Sequence, residues 1–171
     1  MSVETEFLKY SADKLAQLCT RIETCLDKLT PEQVWLRHAE NENAAGNLAL
    51  HLTGNVSQWI LRGVGGQPYQ RDRDGEFAAR GGVETAELKE RLRSAVDGAV
   101  TVIRSLPHSR LIEQVSIQGY DITVLQAIYS VVEHFSAHTG QIMFATKFLT
   151  GEDLGFYRHL SAARAHGEKT P

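Results

Sequence analysis

Apolar residues recur along this chain at helical spacing in four long stretches. From about Thr5 to Leu29, the residues Leu15, Leu18, Ile22, Cys25 and Leu29 step by threes and fours, which places them on one face of a helix. Thr30-Pro31-Glu32-Gln33 then stops that helix and starts a short one: Thr30 suits an N-cap, Pro31 the first helical position, and Gln33 the capping box. A second long helix is expected from about Ala44 to Gly63. Its apolar stripe is Leu48, Leu52, Val56, Trp59 and Ile60, and beside it runs a polar stripe of Asn47, His51, Asn55, Gln58 and Arg62. Gly63, Gly65 and Gly66 end it. The third spans about Thr85 to Leu106, with Leu88, Leu92, Val96, Ala99 and Ile103 inward and Pro107 as its stop. Thr123, with Gln126 three residues on, caps a fourth that runs to about Leu149 before Gly151. There Ile128, Val132, Phe135 and Ile142 form an apolar line, and Ala127, Val131, His134, His138, Gln141 and Ala145 the adjoining one.

Two segments break this pattern. Residues 66–83 are rich in Gly, Arg and Asp and read as a long ordered loop, a class that is usually functional or mobile. Over 111–122 the period changes: Ile112, Val115, Ile117 and Tyr120 suggest a short extended segment turning at Gly119, either two short strands or an irregular crossing segment. Beyond Glu152 the tail is polar, with a short helix expected around Tyr157 to Ala165. The expectation is a single all-α domain over 1–171, with a core at about 5–150 and a tail at 152–171.

Composition narrows the function classes. The 42% apolar and 23% charged content of the 171 residues is that of an ordinary globular protein, and a net charge of -3 gives no reason to expect nucleic acid or an anionic membrane as partner. The acidic start, Met1-Ser2-Val3-Glu4-Thr5-Glu6, lacks the features of a signal peptide, and no apolar run approaches bilayer length. A cytoplasmic location is expected. Cys19 and Cys25 lie six residues apart in one helical pattern, point to different sides and read as small core residues in a reducing compartment.

The chemistry concentrates in three histidines. His134 and His138 are spaced to share one side of a helix, one turn apart, and His51 interrupts a second apolar helix. If those helices pack together, three nitrogen ligands converge, and three protein ligands leave a metal open to water or substrate. Hydrogen-bonded core imidazoles are the competing reading. His38, His108, His159 and His166 sit in polar stretches and read as solvated. Asn47 and Asn55, one turn either side of His51, and Gln141, beside His138, are candidates to orient the rings. Glu133 points away from His134 and reads as solvated rather than as a general base. Arg62 and the arginines of 71–80 are candidates for a substrate carboxylate, against a simpler reading as solvated charges. Each histidine helix also carries a mid-helix glycine, Gly54 or Gly140, whose compensation would be close approach of a neighbour or room for a ligand, the alternative being a helix cost simply tolerated. A metal held by neutral imidazoles would lower the pKa of water to about 7 and ionise a thiol more readily still. A thiol-transfer reaction would then need no cysteine from the protein.

Asn47-Leu48-Ala49-Leu50-His51-Leu52-Thr53-Gly54-Asn55 and Glu133-His134-Phe135-Ser136-Ala137-His138-Thr139-Gly140-Gln141-Ile142 resemble the corresponding blocks of the DinB/YfiT superfamily of bacterial four-helix proteins, and most nearly its DUF1572 branch. The resemblance implies an up-down-down-up four-helix bundle, often a homodimer. It implies that His51, His134 and His138 bind a divalent metal, nickel or zinc. Some members of the superfamily are S-transferases using bacillithiol, mycothiol or glutathione. Others are described as metal-dependent hydrolases or damage-inducible proteins. The resulting expectation is an enzyme that uses a low-molecular-weight thiol on a small-molecule substrate. A metal-dependent hydrolase and a non-catalytic metal- or ligand-binding stress protein are the alternatives.

Overall fold

A computed structural model describes residues 2–160. Helix α1 covers Val3–Leu26, its first turn closed by the Ser2 side chain accepting from the Thr5 amide. The short α2, Pro31–Val34, has the Thr30–Gln33 capping box that the spacing predicts. Helix α3 covers Ala45–Val56. The expected single helix to Gly63 changes period at Ser57, because Ser57–Val64 is a π-helix. Just past its end the wide spacing persists: Gly65 N–H donates to Ile60 O at 2.8 Å, and Gln67 N–H to Leu61 O at 2.9 Å. A Cβ on Gly63 would meet Ile117 Cδ1 at 2.4 Å, so the wide turn and its glycine make room for a neighbouring strand.

The 66–83 segment is not all loop. It contains helix α4, Arg73–Ala78, whose N-cap Asp72 accepts from the Gly75 amide. Helix α5 is Thr85–Arg104, followed by a 3-10 turn at His108–Ile112. Of the two forms open for 111–122, the chain adopts paired strands: β1 (Gln114–Ile117) and β2 (Tyr120–Thr123) run antiparallel, with Ile117 opposite Tyr120. Gln118 and Gly119 both have positive φ, 54° and 81°, the twist that a two-residue hairpin turn needs. Helix α6, Val124–Thr150, starts at the Thr123–Gln126 capping box and stops at Gly151 in the left-handed conformation. The protein is therefore mostly helical with a small two-stranded sheet.

The helices pack as their stripes demand. Helix α1 lies against α5 and α6, and α3 lies against the same two. Leu15, Ile22, Leu52, Ile60, Leu92, Ile103, Ile128 and Phe135 fill the space between them and are fully buried. Each buried side chain of this size is worth about 1.5–3 kcal/mol. Cys19 and Cys25 are buried and unpaired, and burial pushes the Cys19 thiol up to about 12. Among the described residues no helix is long and apolar enough to cross a membrane. His38, His108 and His159 are exposed. The tail is helical at 158–160; the remainder of the helix expected to Ala165, and His166, lie outside the described residues. Packing of α3 beside α6 brings the two polar seams face to face.

Candidate metal centre

His51 projects from α3 and is buried; His134 and His138 project from successive turns of α6 and are half-buried. One ring nitrogen from each lies within 4.8 Å of the others. The rings stand edge to face, with centroids 4.4–5.2 Å apart. His51 Nδ1 lies 3.0 Å from Glu76 Oε2, and His138 Nδ1 lies 2.7 Å from Gln141 Oε1. Both partners are acceptors, so each Nδ1 carries the hydrogen and each Nε2 keeps a lone pair. Arg71 Nη2 is also 3.0 Å from His51 Nδ1, but two N–H groups cannot bond each other, so that contact is electrostatic. His51 Nε2 and His134 Nε2 then meet at 2.9 Å. At metal–nitrogen distances of about 2.0–2.1 Å, two ligand nitrogens on one ion lie roughly 3–4 Å apart. The trio, with one pair at 2.9 Å and all within 4.8 Å, stands close to that range. The donor set fits a divalent transition metal.

Glu76, on α4, is a residue of this cluster that the sequence patterns did not single out. Besides accepting from His51, it takes a forked pair from Arg71, with Nε to Oε1 and Nη2 to Oε2 both 2.7 Å. Arg71 also donates to Gln58 Oε1 and to the His51 carbonyl, each at 3.2 Å. Burial raises the Glu76 carboxyl, but the bonds and charges of Arg71 and His51 outweigh it and hold the group below the usual carboxylate range. A carboxylate behind a ligating imidazole fixes its tautomer and strengthens it as a ligand. The one sequence signal for Glu76 is Gly54. A Cβ there would sit 1.9 Å from Glu76 Oε1 and 2.9 Å from Arg71 Nε, so the mid-helix glycine admits this ion pair against the helix.

The other candidates divide. Gln141 accepts from His138, as described. Asn47 makes no hydrogen bond to a histidine among the described residues. Its Oδ1 caps α3 through the Ala44 amide, while its Nδ2 donates to Glu76 O and Ala79 O at 2.9 Å, which fastens α4 to α3. Asn55 is 8% exposed, beside the histidines, and its Oδ1 has no hydrogen-bond partner. Arg62 donates to Tyr69 O and lines a shallow depression apart from the histidines. Glu133 is exposed at the mouth of the site. Of the loop arginines, Arg71 is 4% exposed and bound to Glu76, so it is not a solvated charge.

His51 and His134 open onto a cleft of about 400 Å³ between the π-helix, the hairpin and α6. Trp59, Tyr120, Ile122 and Val131 supply its apolar surface, and Asn55 and Arg73 its polar one. Gln118, at the hairpin tip, accepts from Trp59 Nε1 at 3.0 Å and donates to Gln58 Oε1 at 2.6 Å. On the His138 side, Gln141 and Gly140 line a second cavity of about 780 Å³. A Cβ on Gly140 would touch nothing within 4 Å. Gly140→Ala is therefore expected to raise stability by about 0.5–1 kcal/mol in urea unfolding, since alanine is the better helix former.

Burial, and then the charges of the other two histidines and of Arg71 and Arg73, hold His134 near a pKa of about 4; burial also lowers His138. Both rings are neutral near pH 7, the state a ligand requires. An unfolded histidine takes up its proton near 6.5. Between about 6.5 and 4 the unfolded chain thus binds more protons than the folded one. Metal-stripped protein is expected to lose stability progressively as pH falls through that window, as measured by urea midpoints. His134→Gln should flatten the slope.

These features define a mostly helical protein with a three-histidine group able to hold a metal ion. Residues 2–166 match the family described as "Protein of unknown function (DUF1572)", and the chain belongs to that family. No curated protein matches it. Among solved structures, it is similar to the crystal structure of a conserved protein from Enterococcus faecalis, with a TM-score of 0.70 over 89% of this chain and 99% of that one. At 14% identity this likeness speaks to the fold alone.

Proposed function

We propose that the protein is a metal-dependent enzyme of the DinB/YfiT type, which activates a low-molecular-weight thiol for transfer to a small electrophile. The observation that carries this reading is the convergence of His51, His134 and His138, two of which, His51 and His134, line an accessible cleft. In this reading α1, α3, α5 and α6 form an up-down-down-up bundle, supported by α1 and α3 each packing on both α5 and α6. A nickel or zinc ion held by the three rings would supply a Lewis acid that lowers the proton affinity of a thiol or a water. Glu76 and Gln141 hold the His51 and His138 rings in the ligating tautomer. Trp59 and Tyr120 offer an apolar wall for the body of a substrate. The buried, strongly protonated Cys19 makes a poor nucleophile, which favours a sulfur that arrives with the substrate.

The test is metal analysis of untagged protein, followed by incubation with bacillithiol, mycothiol or glutathione and an aryl halide. The expected result is one ion per chain and conjugation that His51→Ala and His134→Ala abolish. Turnover of an ester without thiol would replace transfer with hydrolysis. Stoichiometric metal with no turnover would leave a binding protein, and absence of stoichiometric metal would overturn the proposal.

A further inference from the structure

A cavity of about 1210 Å³ includes none of the three histidines. Two arginines line it, and they converge on a single backbone oxygen. Arg37 Nη2 is 2.7 Å and Arg80 Nη1 is 3.0 Å from Phe77 O, at the end of α4. Arg37 Nε also donates to Asn47 Oδ1 at 3.2 Å, and Arg80 Nη1 to Ala78 O and Ala79 O at 2.8 and 3.1 Å. Among the described residues neither guanidinium is paired with a carboxylate, whereas Arg71, Arg93, Arg104 and Arg110 each hold one. Closing the end of a helix needs one such donor; it does not account for two like charges at one carbonyl. Burial, and then the charge of Arg80, hold Arg37 below its ordinary value.

Donors remain unspent at this place. A guanidinium has five N–H groups, and Arg37 Nη1, Arg80 Nε and Arg80 Nη2 have no acceptor among the described residues. Gly82, Val83, Glu84 and Thr85 line the same cavity, and they lead into the first turn of the 20-residue α5. That turn has no side-chain cap, so its free amides add a second, independent set of donors.

We propose that Arg37, Arg80 and the first turn of α5 form a binding site for a compact oxyanion, a phosphate monoester or a dicarboxylate, separate from the histidine group. The planar fork of arginine matches both chemistries, and the helix start favours negative charge. Glu32, Glu40 and Glu84 line the cavity as well, and their charge opposes an extended polyanion more than a small anion held directly by the free Arg80 Nε and Nη2 edge and by Arg37 Nη1.

The test uses the full chain, stripped of metal and dialysed free of chelator, so that no anion binds through an ion at the histidines. Inorganic phosphate and malonate are titrated separately at constant ionic strength, and the arginine Nε–Hε resonances are followed by NMR. The expected result is saturable movement of the Arg37 and Arg80 signals with at least one probe; the probe that moves them assigns phosphate or dicarboxylate. Arg80→Ala should weaken binding about tenfold, the effect of one charge-assisted bond, with Arg80→Lys falling between. Arg80 is exposed, so both variants should keep the parent circular dichroism spectrum, while Arg91→Ala should leave binding unchanged. No saturable response to either probe, or an Arg80→Ala variant that binds as tightly as the parent, overturns the proposal.

Discussion

Glu76→Ala is expected to lower the affinity for zinc or nickel by about 10–100-fold and to destabilise the protein by about 3–5 kcal/mol. Two losses add. The His51 ring loses the acceptor that holds its Nδ1 hydrogen, 3.0 Å away, and with it the preference for presenting Nε2 to the centre. Arg71, only 4% exposed, loses both of its 2.7 Å bonds to the carboxylate and becomes a buried charge without a counter-ion. The two effects separate by experiment. Replacing the pair together, Arg71→Met with Glu76→Leu, removes the stranded charge and should recover most of the stability, because a buried ion pair contributes little net over apolar residues of similar size. It should leave the metal affinity low. Competition against a chromophoric chelator reads the first quantity, and urea unfolding of the stripped protein reads the second. Undiminished metal affinity in Glu76→Ala would mean that the carboxylate does not orient the ring.

Gly54→Ala should weaken the same ion pair, by a smaller amount, without removing any chemical group. Alanine is the better helix former by about 0.5–1 kcal/mol, so on local grounds the change should stabilise α3. The added methyl would sit 1.9 Å from Glu76 Oε1, which no rotamer of a doubly bonded carboxylate relieves without breaking a bond to Arg71 or His51. The expected outcome is a net destabilisation of about 1–3 kcal/mol, the usual cost of overpacking, together with weakened metal binding. The comparison with Gly140→Ala is informative because both glycines sit inside long helices near a histidine, and only the first has a neighbour against its α-carbon. If both variants gained stability alike, the ion pair would not be fixed where it stands.

Much of this architecture was legible because it is written in local spacing. The stripe Leu48, Leu52, Val56 and Ile60 is buried as its period requires, and the capping boxes at Thr30 and Thr123 start helices where hydroxyl and amide side chains can satisfy free amides. His134 and His138 fall on one side of α6 for the same reason. What spacing could not supply was anything that depends on which surfaces meet. The π-helical stretch carries Ile117 against Gly63, fifty-four residues before it in the chain, and a period count over 44–63 has no access to that neighbour. Asn47 was paired with His51 by helix geometry, yet it turns to fasten α4, because backbone carbonyls of that helix come within its reach.

On its own, then, the sequence determined where the long helices run, which faces they bury and which imidazoles line the seam, since turns, caps and stripes are set by residues a few positions apart. Only the tertiary structure decided that a glutamate from an apparent loop stands behind His51, that a buried arginine holds it there, and that Arg37 and Arg80 meet at one carbonyl. The physical reason is that a charged side chain becomes worth burying only when a partner distant in the chain arrives to compensate it, and that arrival is a property of the packed whole.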